Sequence, residues 1–241
     1  MNPFVQFVKD LSDRLGSGFS SLNQNDPSKV AYVRNLERQM RSTDTLDIPF
    51  NDLPVVVFDL ETTGFYPYKG DEILSIGAVK VEGTRILEEQ TFYSLVYSET
   101  APSEEIGDLT GITGEMLAEA PPLRDVLKDF YSFVKNDALV AHHASHEKQF
   151  MNHATWLALR KNFQHRIVDT SFLTRIIHQE ESLVSLDECC KHYGISIEQR
   201  HHAFHDSVAT AKLWVESIQE IKQLGFANLK EVYTHLATMD K

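Results

Sequence analysis

Residues 55 to 60 read Val-Val-Val-Phe-Asp-Leu, an apolar run broken by a single carboxylate. A run this short and this apolar suits a central strand, because a strand covered on both faces has no polar side to show. It continues into Glu61, Thr62, Thr63 and Gly64, so the strand ends with two carboxylates at positions i and i+2. Such positions face one side of a sheet. Asp59 and Glu61 therefore repel each other unless a cation lies between them, and hard carboxylate oxygens suit Mg²⁺ or Mn²⁺. Thr62, Thr63 and Gly64 add hydroxyls, backbone N–H groups and a side-chain-free approach, which a nucleotide end lying against the strand terminus would need. An Asp-x-Glu pair alone is common and reads equally well as a solvated strand end. The full string Asp-x-Glu-Thr-Thr-Gly arises by chance in roughly one such chain in several thousand.

Two further strands follow, ILSIGAVKV and ILEEQTFYSLVY, separated by the turn residues EGT, so three consecutive strands form a meander. After Pro121 and Pro122 the pattern alternates: helix at 123–135, strand at 138–141, helix at 146–160, strand at 166–169 and helix at 170–178. Helices at 185–193, 206–223 and 227–238 complete the chain. The expected fold class is α/β, a five-stranded mixed sheet with helices on both faces. Residues 1–50 read as an N-terminal extension with helices near 4–15 and 28–42, closed by a polar linker at 42–47, and residues 51–241 as the main domain.

The chain's formal charge is −12, which opposes a wide grip on nucleic-acid backbone. Residues 1–50 hold six basic and six acidic side chains, so the excess acid belongs to the main domain. Within that domain residues 148–178 run the other way, with Lys148, Arg160, Lys161, Arg166 and Arg175 against Asp169 alone. That segment is either a solvated helix face or a phosphate contact. Cys189 and Cys190 are adjacent and unsuited to a routine disulfide, which fits a reducing, cytoplasmic setting. No stretch approaches the roughly 18 apolar residues of a membrane span, so no membrane partner is expected.

The chain resembles the DEDDh family of 3′-to-5′ exonucleases, the family of the proofreading epsilon subunit of bacterial replicative polymerases. The resemblance rests on Asp59-Leu-Glu61-Thr-Thr-Gly64 and on His201-His-Ala203-Phe-His-Asp206, whose spacing is the family's HxAxxD, and extends over residues 54 to about 221. It implies a ribonuclease H-like fold and two divalent cations, Mg²⁺ or Mn²⁺, held by Asp59, Glu61, Asp206 and a fourth carboxylate. His201 would take the proton from the attacking water. Where the family usually carries an Asp, His142-His-Ala-Ser-His-Glu147 offers Glu147, one methylene longer, which makes Mn²⁺ the better-tolerated ion. Leu60, Thr62, Thr63, Gly64, Ile112, Thr113 and His142 stand at the implied substrate-binding positions. The implied partner is a single-stranded nucleic-acid 3′ end, DNA before RNA, with a DNA polymerase subunit as a second partner.

Two alternatives stay open at this point. Ten of the eleven histidines fall between residues 142 and 205, so the clusters could bind zinc in a zinc-dependent phosphohydrolase. A catalytically inactive nucleic-acid-binding module on the same fold is the other. Asp169 reads either as a support for the site or as the N-cap of the helix that follows, and His202 is the rival of His201.

Overall fold

The computed structural model describes residues 45–178 and 183–239; the two helices expected within residues 1–44 lie outside them. Strand β1 (Pro54–Thr62) pairs antiparallel with β2 (Ile73–Glu82), and β2 pairs antiparallel with β3 (Arg85–Leu95). On its other edge β1 pairs parallel with β4 (Ala138–Ala141), which pairs parallel with β5 (Ile167–Asp169), giving the order β3-β2-β1-β4-β5. This is the expected five-stranded mixed sheet.

The apolar run of β1 is continuous because both faces are covered. Val55 and Val57 point into one core layer, while Val56, Phe58 and Leu60 point into the other. Helices α3 (Leu123–Val134) and α4 (Ser145–Leu159) cover the Val56 side with Phe130, Phe150 and Met151. Helices α5 (Ser171–Ile177), α7 (Ala203–Gln223) and α8 (Leu229–Met239) cover the Val55 side, where Trp214 and Ile218 are almost fully buried. Helix α6 (Leu186–Tyr193) opens on a capping box between Ser185 and Glu188 and packs Cys189 and Cys190 against α7. Both thiols are free, and burial pushes each up to about 11. No helix among the described residues is long and apolar enough to cross a membrane.

Three features differ from the expectation. Two short helices, α1 (Glu104–Thr110) and α2 (Gly114–Ala118), lie between β3 and α3, each started by a side-chain cap, Ser103 on Ile106 N–H and Thr113 on Met116 N–H. Residues 45–47, expected in the linker, form a 3₁₀ turn. Leu46, Ile48 and Phe50 then alternate into the core, and the Phe50 N–H donates to Ala227 O at 2.9 Å. The compact unit accordingly begins at Thr45. Finally, α7 starts at Ala203 and crosses β2 at Gly77, where an added Cβ would sit 2.2 Å from the backbone of Ala203 and Phe204. Gly77 is the register partner of Asp59.

Candidate active site

Asp59 and Glu61 continue the Val55–Val57 side of β1, the side on which α7 lies. The first turn of α7 brings Asp206 down onto them, and one oxygen from each of the three carboxylates falls within 4.8 Å of the others. Glu147 comes from the first turn of α4 and is 4% exposed. It stands outside that triad but is the charged neighbour that raises Asp59 most. Asp169 fixes the loop that delivers it, accepting N–H bonds from His143 (3.2 Å), Ala144 (3.0 Å) and Ser171 (2.9 Å). Asp169 thus ties the loop before α4 to the entry of α5, whose N-cap residue is Thr170.

Burial dominates the electrostatics. It pushes Asp59 well above the usual carboxylate range, with Glu147, Glu61 and Asp206 adding to the rise. Burial likewise raises Glu61 to about 8 and Glu147 to about 8, and raises Asp206. Glu147 Oε2 and Asp206 Oδ1 are buried without a hydrogen-bond partner. A buried set of oxygen donors, crowded by like charge and short of partners, fits a hard divalent cation. Glu61 and Glu147 ionise later in the folded chain than in the unfolded one, from an ordinary value of 4.5. Below that pH both states hold the protons; between there and pH 8 the folded state must release protons it binds more tightly, and stability falls. The melting temperature in chelator is therefore expected to drop from pH 5 to pH 8.5, by about 2–4 °C for each kcal/mol lost. Mg²⁺ or Mn²⁺ should remove most of that drop in a thermal-shift titration. A flat or rising profile in chelator would contradict the assignment.

His201 has φ 57°, a left-handed conformation that costs a non-glycine residue of order 1 kcal/mol, and its N–H donates to Asp206 Oδ2 at 3.0 Å. His143, in the loop before Glu147, has φ 59°. His202 is the N-cap residue of α7; its ring stacks on Tyr93 at 4.7 Å and lies 4.6 Å from His205.

The remaining expected substrate positions divide. Thr62 Oγ1 donates to Gly64 O at 2.7 Å and lies 3.4 Å from His146 Nε2. Thr63 Oγ1 accepts from Glu72 N–H at 2.9 Å, and a Cβ at Gly64 would meet the Asp71 carboxylate at 2.5 Å, so the turn is tightly braced. Thr113 is exposed. The side chains of Leu60 and Ile112 are buried in core clusters, which leaves only their main chain for a ligand. The ring nitrogens of His142 are both engaged within the protein, Nδ1 with Thr170 Oγ1 at 2.7 Å and Nε2 with Val184 O at 2.9 Å. Among the described residues the histidines meet in pairs at most, and the group of three able to hold a metal is the carboxylate triad.

Arg200 was not foreseen. It pairs with Asp187 through Nε (2.7 Å) and Nη2 (3.1 Å) and through Nη1 with Asp206. Its charge opposes the rise at Asp59, Glu61 and Asp206. The signal was its place beside His201, but Arg200 lies in the turn before α7 and its partner Asp187 lies back on α6.

Residues 56–214 match the RNase_T family model, described as exonuclease. A "DNA polymerase III PolC-type" of Oceanobacillus iheyensis is 36% identical over 181 residues, 75% of this chain and 12% of that protein. Its namesake in Staphylococcus aureus is 33% identical over 194 residues, 80% of this chain and 13% of that protein. The chain thus spans a small part of these relatives. Among solved structures, Exonuclease X in complex with 5′ overhanging duplex DNA matches with TM-score 0.58 and 20% identity, over 74% of this chain and 98% of that one. The nuclease domain of 3′hExo, a DEDDh family member bound to rAMP, matches with TM-score 0.61 and 22% identity, over 69% of this chain and 92% of that one. These likenesses agree with the ribonuclease H-like fold.

Proposed function

Because the chain belongs to the RNase_T exonuclease family, as a 3′-to-5′ exonuclease of the DEDDh type, we propose that it releases mononucleotides from single-stranded 3′ ends, DNA in preference to RNA. The convergence of Asp59, Glu61 and Asp206 within 4.8 Å, beside His201 and the Thr62–Gly64 turn, carries this reading. Two divalent cations, Mg²⁺ or Mn²⁺, would stabilise charge on the attacking and leaving oxygens. Asp59, Glu61 and Asp206 would hold those cations, and Glu147 would complete the set from α4. Arg200 orients the Asp206 carboxylate. The braced turn at Thr62, Thr63 and Gly64 receives the terminal nucleotide, with Thr113 and the main chain of Leu60 and Ile112 beside it. His201 takes the proton of the attacking water. The water oxygen forms a new P–O bond, the P–O3′ bond breaks, O3′ takes a proton from solvent to leave the shortened strand with a 3′-hydroxyl, and the released nucleotide keeps its 5′-phosphate.

Incubating the pure protein with 5′-labelled single-stranded DNA and RNA, in Mg²⁺, Mn²⁺, Zn²⁺ or chelator, tests all of this together. A descending ladder in Mg²⁺ or Mn²⁺, arrested by a 3′-phosphate, is expected. Cleavage unaffected by the block, or supported by Zn²⁺ alone, would overturn the reading. The names of the PolC-type relatives support a polymerase as partner, and the two free cysteines are consistent with the cytoplasm.

Glu147 departs from the usual Asp, and its longer side chain makes a looser site. Mg²⁺ demands near-ideal octahedral geometry, so activity is expected to be higher in Mn²⁺ than in Mg²⁺. Glu147→Asp should shift the preference toward Mg²⁺, and Glu147→Gln should be severely impaired. If Glu147→Gln cleaves at the unsubstituted rate in saturating metal, the residue has no part in holding the ions.

A further inference from the structure

An exposed aromatic face lies next to the carboxylate cluster and takes no part in the chemistry above. Tyr68, in the 3₁₀ turn Pro67–Lys69, is 68% exposed, and Trp156, in the last turns of α4, is 52% exposed. They belong to one surface. The Tyr68 ring lies 5.0 Å from His153, Trp156 follows one helical turn later, and the Arg160 guanidinium sits 4.6 Å over the Trp156 ring. His146, His153, Trp156 and Arg160 recur at spacings of seven, three and four, which keeps them on one side of α4. The His146 end of this stripe is 3.4 Å from Thr62, at the mouth of the proposed site, and contacts the Phe65 ring at 5.8 Å. Lys69 lies beside it, 4.3 Å over the Tyr66 ring. Apolar rings exposed together in this way are unusual for a surface that nothing covers.

We propose that this stripe is the track for the incoming strand, on which bases several nucleotides before the 3′ end stack against Tyr68 and Trp156 while Arg160 and Lys69 face the phosphates. The proposal rests on the exonuclease reading. Three observations select a nucleic-acid strand as the occupant. The stripe begins at the turn that receives the terminal nucleotide. Its charged members are cations, in a chain whose formal charge is −12. The Tyr68 and Trp156 rings are flat and at least half exposed, with an arginine laid over one of them, and ring stacking joined to cation–π contact holds single strands without reading their sequence. From His146 to its end at Leu159 the helix rises about 20 Å at ~1.5 Å per residue, room for roughly six nucleotides stacked at ~3.4 Å per step.

The test is the ratio of kcat/KM for dT12 to kcat/KM for dT2. The dinucleotide reaches the His146 end at most and is too short to reach Tyr68 and Trp156. The unsubstituted protein should show a ratio well above one, and Tyr68→Ala with Trp156→Ala should reduce that ratio at least about tenfold. Tyr68→Phe with Trp156→Phe keeps the rings and should retain it, which separates stacking from a folding fault. Arg160→Gln should weaken the salt dependence of KM for dT12. A ratio unchanged in the alanine pair overturns the track, and is also the result expected if the face instead docks a polymerase subunit. Failure of the unsubstituted protein to cleave either substrate would instead refute the exonuclease reading.

Discussion

Asp59→Asn is expected to lower exonuclease turnover by at least about 10³-fold while raising the melting temperature of the chelated protein. The loss follows from the position. Asp59 is raised by its burial and then by Glu147, Glu61 and Asp206 around it. Charge held at such a centre is worth several kcal/mol to the transition state, at about 1.4 kcal/mol per tenfold in rate. The gain in stability has the same origin, because an amide of equal shape removes one of the crowded carboxylates that burial disfavours as anions. Kinetics in Mn²⁺ and thermal unfolding in chelator at pH 8 read the two halves. An active variant would remove Asp59 from the centre. An inactive variant that melts earlier would point to damaged folding in place of a lost ligand.

His201→Ala should lower turnover by about 10²-fold or more, whereas His202→Ala should lower it less than about tenfold and melt earlier. The difference comes from packing. His202 stacks on Tyr93 and meets His205 at a tilt, so its removal leaves a gap, while the backbone N–H of His201 is tied to Asp206. Since alanine is disfavoured at φ 57°, His201→Asn should also be measured, for asparagine enters that region more readily and brings no imidazole. Equal losses at 201 and 202, with folding intact, would deny His201 a specific role.

Elements with one dominant cause were legible in the chain. Strand β1 could be read because only a twice-covered strand tolerates Val55 to Phe58 in succession, and Asp59 with Glu61 because the strand period puts them on one side. Helices α1 and α2 were not, since each is too short for an apolar period and depends on a single side-chain cap. The start of α7 was placed three residues late, because His202 supplies no side-chain cap and the helix is positioned by contact with β2. Arg200 sits in the polar run Glu198-Gln199-Arg200, which reads as solvated until α6 brings Asp187 across. The partners of the His142 ring were illegible for a similar reason: Thr170 and Val184 are 28 and 42 residues away along the chain.

The crossing at Gly77 has a bearing on how sequences like this one can drift. The spacing of Asp206 from Asp59 is referenced to main chain resting on main chain, with no side chain as a shim between them. Valines, leucines and even Trp214 can be exchanged further along the same layer, at the usual cost in stability, without resetting that spacing. Position 77 is the exception, because any added carbon there lifts the first turn of α7 and carries Asp206 away from its partners. Substitution in the layer and geometry at the centre are thereby uncoupled, so a lineage of such chains can lose most of its resemblance in the core and still cut.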